Sequence, residues 1–255
     1  MKRLAFVAAL ALVAVVLNTG CDEILELDKP GNLTYEATDS GNKLKLDWEA
    51  VTDAAGYRVK IDGDTEETSD TEYTVDTPAK TIEVTAYNGA VESDPVTVDC
   101  EAVVTASIEV YGKSDPSPEH PSAFGFTNDG TAVPYALSNS ANWPMIDYVM
   151  DDLVNGMNFK SPNGYDPVYN NEDNSAVEAG GTDFDAEVLA PDQGWKTQHS
   201  CVEGAVYYFW IDPNANLWDL EDNFAKAKVV SVVDKKVTLK LAFQTIPGLG
   251  WLVTD

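Results

Sequence analysis

Few residues in this chain combine the type and spacing that chemistry needs. Its only two histidines are His120, in PEHPS, and His199, in TQHSC. Two imidazoles suffice to supply both axial ligands of a haem iron, or part of a metal site. Each also stands in a polar, loop-like stretch where an ordinary surface histidine is expected. Asp212, Asn214 and Asn216 hold the first, third and fifth positions of an EF-hand-like loop, whose alternation turns side-chain oxygens inward toward calcium. The sixth position is Leu217 instead of glycine and the twelfth is Asn223 instead of a bidentate glutamate, so the loop is incomplete. The acids of IDGDTEETSD, residues 61–70, lack that order of ligands and read as a solvated hairpin. Five of the six tryptophans lie beyond residue 140. Core packing accounts for most of them. Trp195 and Trp218, flanked by glycine, lysine and acids, are the pair expected at the surface, where two coplanar indoles would stack a sugar or another flat ligand.

Catalytic motifs do not stand out. There is no G-x-S-x-G elbow, no H-E-x-x-H, no Walker loop and no dinucleotide fingerprint. The chain has 43 acids, and a glycosidase pair among them is defined by separation in space rather than in sequence. The expectation is a non-enzymatic protein with no cofactor, calcium and haem being the two candidates that the residues above raise; a carbohydrate-active hydrolase is the competing class. Against those acids stand only 16 lysines and arginines, a net charge of −27. Such a surface repels phosphate backbones, so nucleic acid and anionic membrane surfaces are poor partners. A hydrophobic content of 44%, with six Trp, eleven Tyr and eight Phe, is enough to bury cores and argues against disorder.

The first twenty residues carry a different message. Lys2 and Arg3 precede an uncharged apolar run from Leu4 to Leu17, then Thr19 and Gly20, then Cys21. The run is shorter than the ~20 residues a helix needs to cross a hydrocarbon core, so it reads as an export signal. Leu17, Gly20 and Cys21 resemble the lipobox of bacterial lipoproteins, from which Asn18 departs. The resemblance implies cleavage before Cys21 and acylation there, palmitate included, with each buried CH₂ adding about 0.8 kcal/mol to membrane attachment. Asp22 resembles the residue that retains enteric lipoproteins at the inner membrane; the leaflet stays open. Losing Lys2 and Arg3 and no acid would take the net charge from −27 to −29. Cys100 and Cys201 would then remain as an even pair in an exported chain. A bridge between them would close a loop of about 100 residues, for which chain entropy gives about 4.7 kcal/mol; two buried thiols are the alternative.

Behind these residues lie the elements that must position them. Between about residues 29 and 101, short alternating segments are separated by turns. Leu44, Leu46 and Trp48 alternate with Lys45 and Asp47; Tyr57, Val59 and Ile61 follow, and then Asp62-Gly63 supplies a hairpin turn. Ile82, Val84 and Ala86 form a later strand, closed by Asn88-Gly89. The stretches LKLDWEAVTDAAGYRV and IEVTAYNGAVESDPVTV resemble the B–C and F–G strands of a fibronectin type III domain. Lys80 stands where that family has its corner tyrosine. The resemblance implies a β-sandwich used for spacing, display or adhesion.

From about 103 to 255 the pattern is again β-rich. Ala225, Ala227 and Val229 alternate with lysines; after the turn DKK, Val237, Leu239, Leu241 and Phe243 continue the alternation, an amphipathic hairpin. AVYYFWI is a continuous apolar run that fits a buried strand. NWPMIDYVMDDLVNG fits both a helix, with Met145, Ile146, Val149, Met150, Leu153 and Val154 on one face, and a strand through Ile146, Tyr148 and Met150; the strand is preferred. AFGFTNDG, IDYVM and FAKAKVVSVVDKKVTLKLAFQT loosely resemble the β-rich domains of HmuY-like surface lipoproteins, which implies little about the ligand. The expectation is therefore a mainly all-β, exported, lipid-anchored chain: signal 1–20, anchor linker 21–28, fibronectin type III-like sandwich 29–101, and a second β-rich unit 103–255. Its partners would be the membrane, through the lipid, and an extracellular or periplasmic ligand, glycan or protein.

Overall fold

The alternation of the first hundred residues becomes eight strands in the computed structural model, which describes residues 26–115, 117–153, 155–166, 174–214 and 217–255. Cys21 and Asn216 lie outside the described residues. The strands are β1 (Gly31–Thr38), β2 (Lys43–Glu49), β3 (Gly56–Ile61), β4 (Asp64–Thr68), β5 (Glu72–Val75), β6 (Thr81–Asn88), β7 (Val91–Glu92) and β8 (Val96–Asp99). One sheet runs β1-β2-β5; the other runs β4-β3-β6-β7, with β8 also on β6. Leu44, Leu46, Trp48, Tyr57, Val59, Ile82, Val84 and Ala86 meet between them, as their period of two demands. The Tyr57 ring lies edge-on to Trp48 at 5.3 Å, and its hydroxyl accepts the N–H of Val51 at 2.9 Å. Asp62 and Gly63 both have positive φ, 48° and 105°, which matches the right-handed twist of the hairpin they close. The Asp62 carboxylate also accepts the N–H groups of Lys80 and Thr81, at 3.0 and 2.9 Å, and ties this hairpin to the start of β6. The acids of 61–70 therefore belong to a solvated hairpin, with most of β4 exposed.

Ten further strands build a second sandwich: β9 (Val103–Tyr111), β10 (Ala123–Phe126), β11 (Ala132–Tyr135), β12 (Tyr148–Asp151), β13 (Asn158–Lys160), β14 (Ser175–Glu178), β15 (Gln198–Ser200), β16 (Val206–Ile211), β17 (Asn223–Val233) and β18 (Lys236–Phe243). The sheet orders are β11-β10-β12-β13-β15 and β14-β16-β17-β18-β9. Among the described residues 47% are in strands and 5% in helices, so the fold is almost all β. Phe124, Tyr148, Phe159, Tyr207 and Phe209 fill the space between the sheets, and the Tyr148 hydroxyl crosses it to donate to the Ser175 carbonyl at 2.8 Å.

The ambiguous stretch resolves into a 3₁₀ helix, Ser140–Met145, followed by β12. Tyr148 and Met150 face the inter-sheet core while Val149 faces a smaller apolar cluster outside. Burial on both faces is why helical and strand periods fitted equally well. The run AVYYFWI has the same cause: Tyr207, Phe209 and Ile211 point inward, and Val206 and Tyr208 lie under the 179–190 segment and Leu252.

Beyond β18 the chain returns to the first sandwich. Trp251, fully buried, joins that sandwich's core with Ile246 and Leu249, and its Nε1 donates to the Asn42 carbonyl at 3.0 Å. Gly250 donates to the Gly41 carbonyl at 2.9 Å. Gly41 has φ +85°, and a Cβ there would lie 2.5 Å from the Gly248 carbonyl oxygen, so only glycine fits. The Gln244 amide donates to both the Cys100 and the Trp251 carbonyls, at 2.9 and 2.7 Å. Cys100 and Cys201 are both free and buried, the first in one sandwich core and the second in the other. Of the two alternatives, a bridge or two buried thiols, the structure has the second, and burial pushes each thiol up to about 12.

Candidate functional site

The second sandwich covers its outer faces with its own loops, and one cover leaves a seam. On the outside of β10, β11 and β12, the segment 136–146 packs through Leu137, Trp143 and Ile146 against Ala123, Tyr135 and Val149. Asn139 caps the 3₁₀ helix by accepting the Ala141 N–H at 3.1 Å, and Trp143 Nε1 donates to the Leu137 carbonyl at 2.9 Å. Between this pinned wall and the β10–β11 hairpin lies a groove of about 810 Å³. Phe126, Val133, Pro144 and Met145 give it apolar sides; Asp129, Tyr135 and Asp147 give it polar ones. Gly125 lets the wall approach, because a Cβ at that position would collide with the Met145 carbonyl oxygen.

The polar groups are held in place. Asp147 is 9% exposed, and its Oδ2 accepts the Phe126 N–H at 2.7 Å. Asp129 accepts the Thr127 hydroxyl at 2.5 Å and the Thr131 N–H at 3.2 Å; those bonds hold its carboxyl below the usual range. The Tyr135 hydroxyl is pushed up, first by burial and then by the charge of Asp147. Among the described residues, the groove is lined by two carboxylates and no Lys, Arg or His. A second hollow, of about 590 Å³ in the first sandwich, differs in kind: Lys60 and Lys80 line it and are paired with Glu83 at 3.1 Å and Asp255 at 2.6 Å.

The residues singled out by type fall elsewhere. His120 stacks on Tyr111 at 4.1 Å and its Nδ1 contacts Asp115 at 2.9 Å. His199 sits on β15 with its ring edge-on to Tyr207. The two imidazoles thus occupy separate surroundings, and the structure does not bring them to one ion. Asp212 uses Oδ1 to accept the Asn214 N–H at 3.1 Å, and the Asn214 amide contacts Glu221. No group of three metal-capable side chains occurs among the described residues. Trp195 and Trp218 are half-buried rather than an open coplanar pair. Their Nε1 atoms donate to the carbonyls of Pro191 and Gly248, at 3.0 and 2.8 Å, and both pack on one cluster with Phe224 and Trp210. The tryptophans met a core-covering demand that the polar letters around them concealed.

Two buried ionisable groups lie near that cluster. Lys226, fully buried, donates to the Phe184 and Glu187 carbonyls at 2.6 and 3.0 Å and to the Thr254 hydroxyl at 3.2 Å; burial lowers it to about 8. It fastens the 184–187 segment over the sheet. Asp222 is 1% exposed, accepts the Asp219 N–H at 2.9 Å, and burial raises it to about 6. Trp210 Nε1 lies near enough to lower its pKa somewhat without reaching hydrogen-bond geometry.

No family model and no curated protein matches the chain. Among solved structures, FN3tt and an FN3tt mutant are similar to it at 20% and 23% identity. Each gives a TM-score of 0.25 and covers 29% or 28% of this chain, and 91% or 90% of its own. A DUF4466 family protein from Parabacteroides merdae, solved at 2.00 Å, is similar over 86% of this chain and 98% of its own, at 11% identity and a TM-score of 0.43.

The groove residues Phe126, Tyr135, Met145 and Asp147 escape sequence reasoning. Asp147 is one acid among 43, and only the covering segment makes it a floor. Gly125 carried the one usable signal, a glycine inside an apolar strand, where close backbone approach is expected.

Proposed function

We propose that this chain is an exported, lipid-anchored binding protein whose second sandwich captures its ligand in the Phe126–Tyr135–Asp147 groove without turning it over. The groove carries the binding half of this proposal. It joins apolar walls to a few fixed polar groups, the composition typical of small-ligand sites, at a volume within their usual range of about 300–1,000 Å³. Binding without chemistry fits the state of its carboxylates. A glycosidase needs one carboxyl kept protonated as the acid. Asp129 is instead held ionised by its turn, and Asp147 is engaged by the Phe126 N–H. Residues 2–21 support the anchoring half, with Cys21 as the acylated residue.

Metabolic labelling with a palmitate analogue tests the anchor. Wild-type chain is expected to take label and fractionate with membranes, and Cys21→Ser to lose both. Equal labelling of the two would overturn the lipid assignment.

A further inference from the structure

We infer that segment 244–254 is a clasp: it completes the core of the first sandwich and locks the joint to the second, so that the first sandwich, although earlier in the chain, closes only after the second has formed.

The core of the first sandwich has a wall that its own strands do not supply. Leu249 and Trp251 are fully buried in it, and Ile246 nearly so. Without the clasp that core would lack an indole and two aliphatic side chains at once, more than a packed interior recovers by relaxing.

The β1–β2 turn depends on the same segment. Asp39, Ser40 and Gly41 have φ of 53°, 55° and 85°, three left-handed residues in succession, and only the glycine adopts that conformation without cost. Such a backbone persists where its surroundings fix it. Here the clasp does so, through the Gly250 N–H on the Gly41 carbonyl and the Trp251 indole on the Asn42 carbonyl, at 2.9 and 3.0 Å.

The clasp in turn takes its shape from the second sandwich. Gly248 donates to the Asp222 carbonyl at 2.7 Å and Leu252 to the Val188 carbonyl at 2.8 Å, while the Gly250 carbonyl accepts the Ala190 N–H at 2.9 Å. The Thr254 hydroxyl accepts from Lys226, on β17, at 3.2 Å. Asn42 and Trp251 stand 209 residues apart in sequence, and closing so long a loop is costly until the second sandwich has shortened the path. This sets the order of closure.

The joint is bracketed from both sides. Ala102 donates to the Val253 carbonyl at 2.9 Å and Cys100 to the Lys80 carbonyl at 2.7 Å, and the Cys100 carbonyl accepts the Gln244 amide. A joint bonded in this way is no hinge, and it holds the second sandwich at one orientation on the first.

Cys100 and Cys201 report on the two cores separately, since each thiol is free and buried in a different one. The full chain, in a non-ionic detergent, is unfolded in urea, returned to buffer and pulsed with N-ethylmaleimide after increasing delays; the peptides carrying each cysteine are then weighed. Cys201 is expected to become protected before Cys100. Protection of Cys100 first, or of both together, would overturn the order of closure. In the folded chain, Trp251→Ala is expected to raise Cys100 labelling about a hundred-fold or more and to leave Cys201 unchanged. Should that variant not fold, Gln244→Met keeps the volume, removes the bonds to Cys100, Trp251 and Ile246, and is expected to raise Cys100 labelling about ten-fold or more. Unchanged protection of Cys100, or equal gains at Cys100 and Cys201, would overturn the clasp.

Discussion

The two sandwiches bury their inter-sheet cores in the same way and treat their outer faces in opposite ways. The first leaves those faces to water and laces them with cross-strand charge pairs: Lys45 with Glu72, Arg58 with Glu67 and Glu92, Lys60 with Glu83. Such exposed pairs, screened by water and salt, add little to stability. The second covers its outer faces with its own loops, which build two small apolar clusters and enclose Lys226. A covered sheet offers what a bare one cannot, a seam between sheet and cover. The groove lies in such a seam. On the proposed function, the first sandwich would serve as a platform and the recognition surface would come from the irregular segments of the second.

The largest test of that division is where the platform ends. Trp251 belongs by sequence to the second unit and by packing to the first core. Trp251→Ala is expected to destabilise the first sandwich by about 3–5 kcal/mol, the usual loss for a buried tryptophan. Urea denaturation followed by total tryptophan fluorescence and by far-ultraviolet dichroism would show the effect. The wild type should give one coincident transition, and the variant should split it, the first sandwich melting earlier.

A smaller effect comes from Asp222, beneath the covered face. Unfolded, its carboxyl titrates near the ordinary 3.8; folded, it keeps its proton to about 6. Between those values the folded state binds more protons, so this group removes stability as pH rises from about 4 to about 6. The wild type should lose about 2 kcal/mol relative to Asp222→Asn across that window. Thermal melts of the two chains at pH 4, 5, 6 and 7 would measure it, and parallel curves would contradict it.

Smaller again is Trp195→Ala, at about 1–2 kcal/mol for a half-buried ring, with groove binding unchanged; a lost binding signal would shift the site to the tryptophan cluster. Met145→Ala, at the groove rim, should alter stability by less than about 0.5 kcal/mol. It should nonetheless weaken binding of a ligand held in the groove several-fold in an isothermal titration.

Legibility followed the same division. Strands with one wet face show period two plainly, so Leu44-Leu46-Trp48 and Tyr57-Val59-Ile61 could be placed from their letters alone. The hairpin of β17 and β18 was equally plain, since its lysines fall on the face opposite the inter-sheet core. Where both faces are covered the period disappears. Val206–Ile211 read as a bare apolar run, and Tyr148–Asp151 fitted two patterns at once. The groove depends on contacts between residues 125 and 145, a pairing no local pattern expresses. His120, His199, Trp195 and Trp218 drew attention by residue type, and type does not reveal that Asp115, Tyr207 or a backbone carbonyl already occupies the group.

The location of the site is the central claim, and soaking crystals of the chain in a panel of small amines, sugars, carboxylates and neutral aromatics tests it most directly. Bound fragments are predicted to gather between Phe126, Tyr135 and Met145, with the face of the first sandwich bare. Fragments confined to the Lys60–Lys80 hollow, or to the Trp195–Trp218 cluster, with the groove empty, would contradict it.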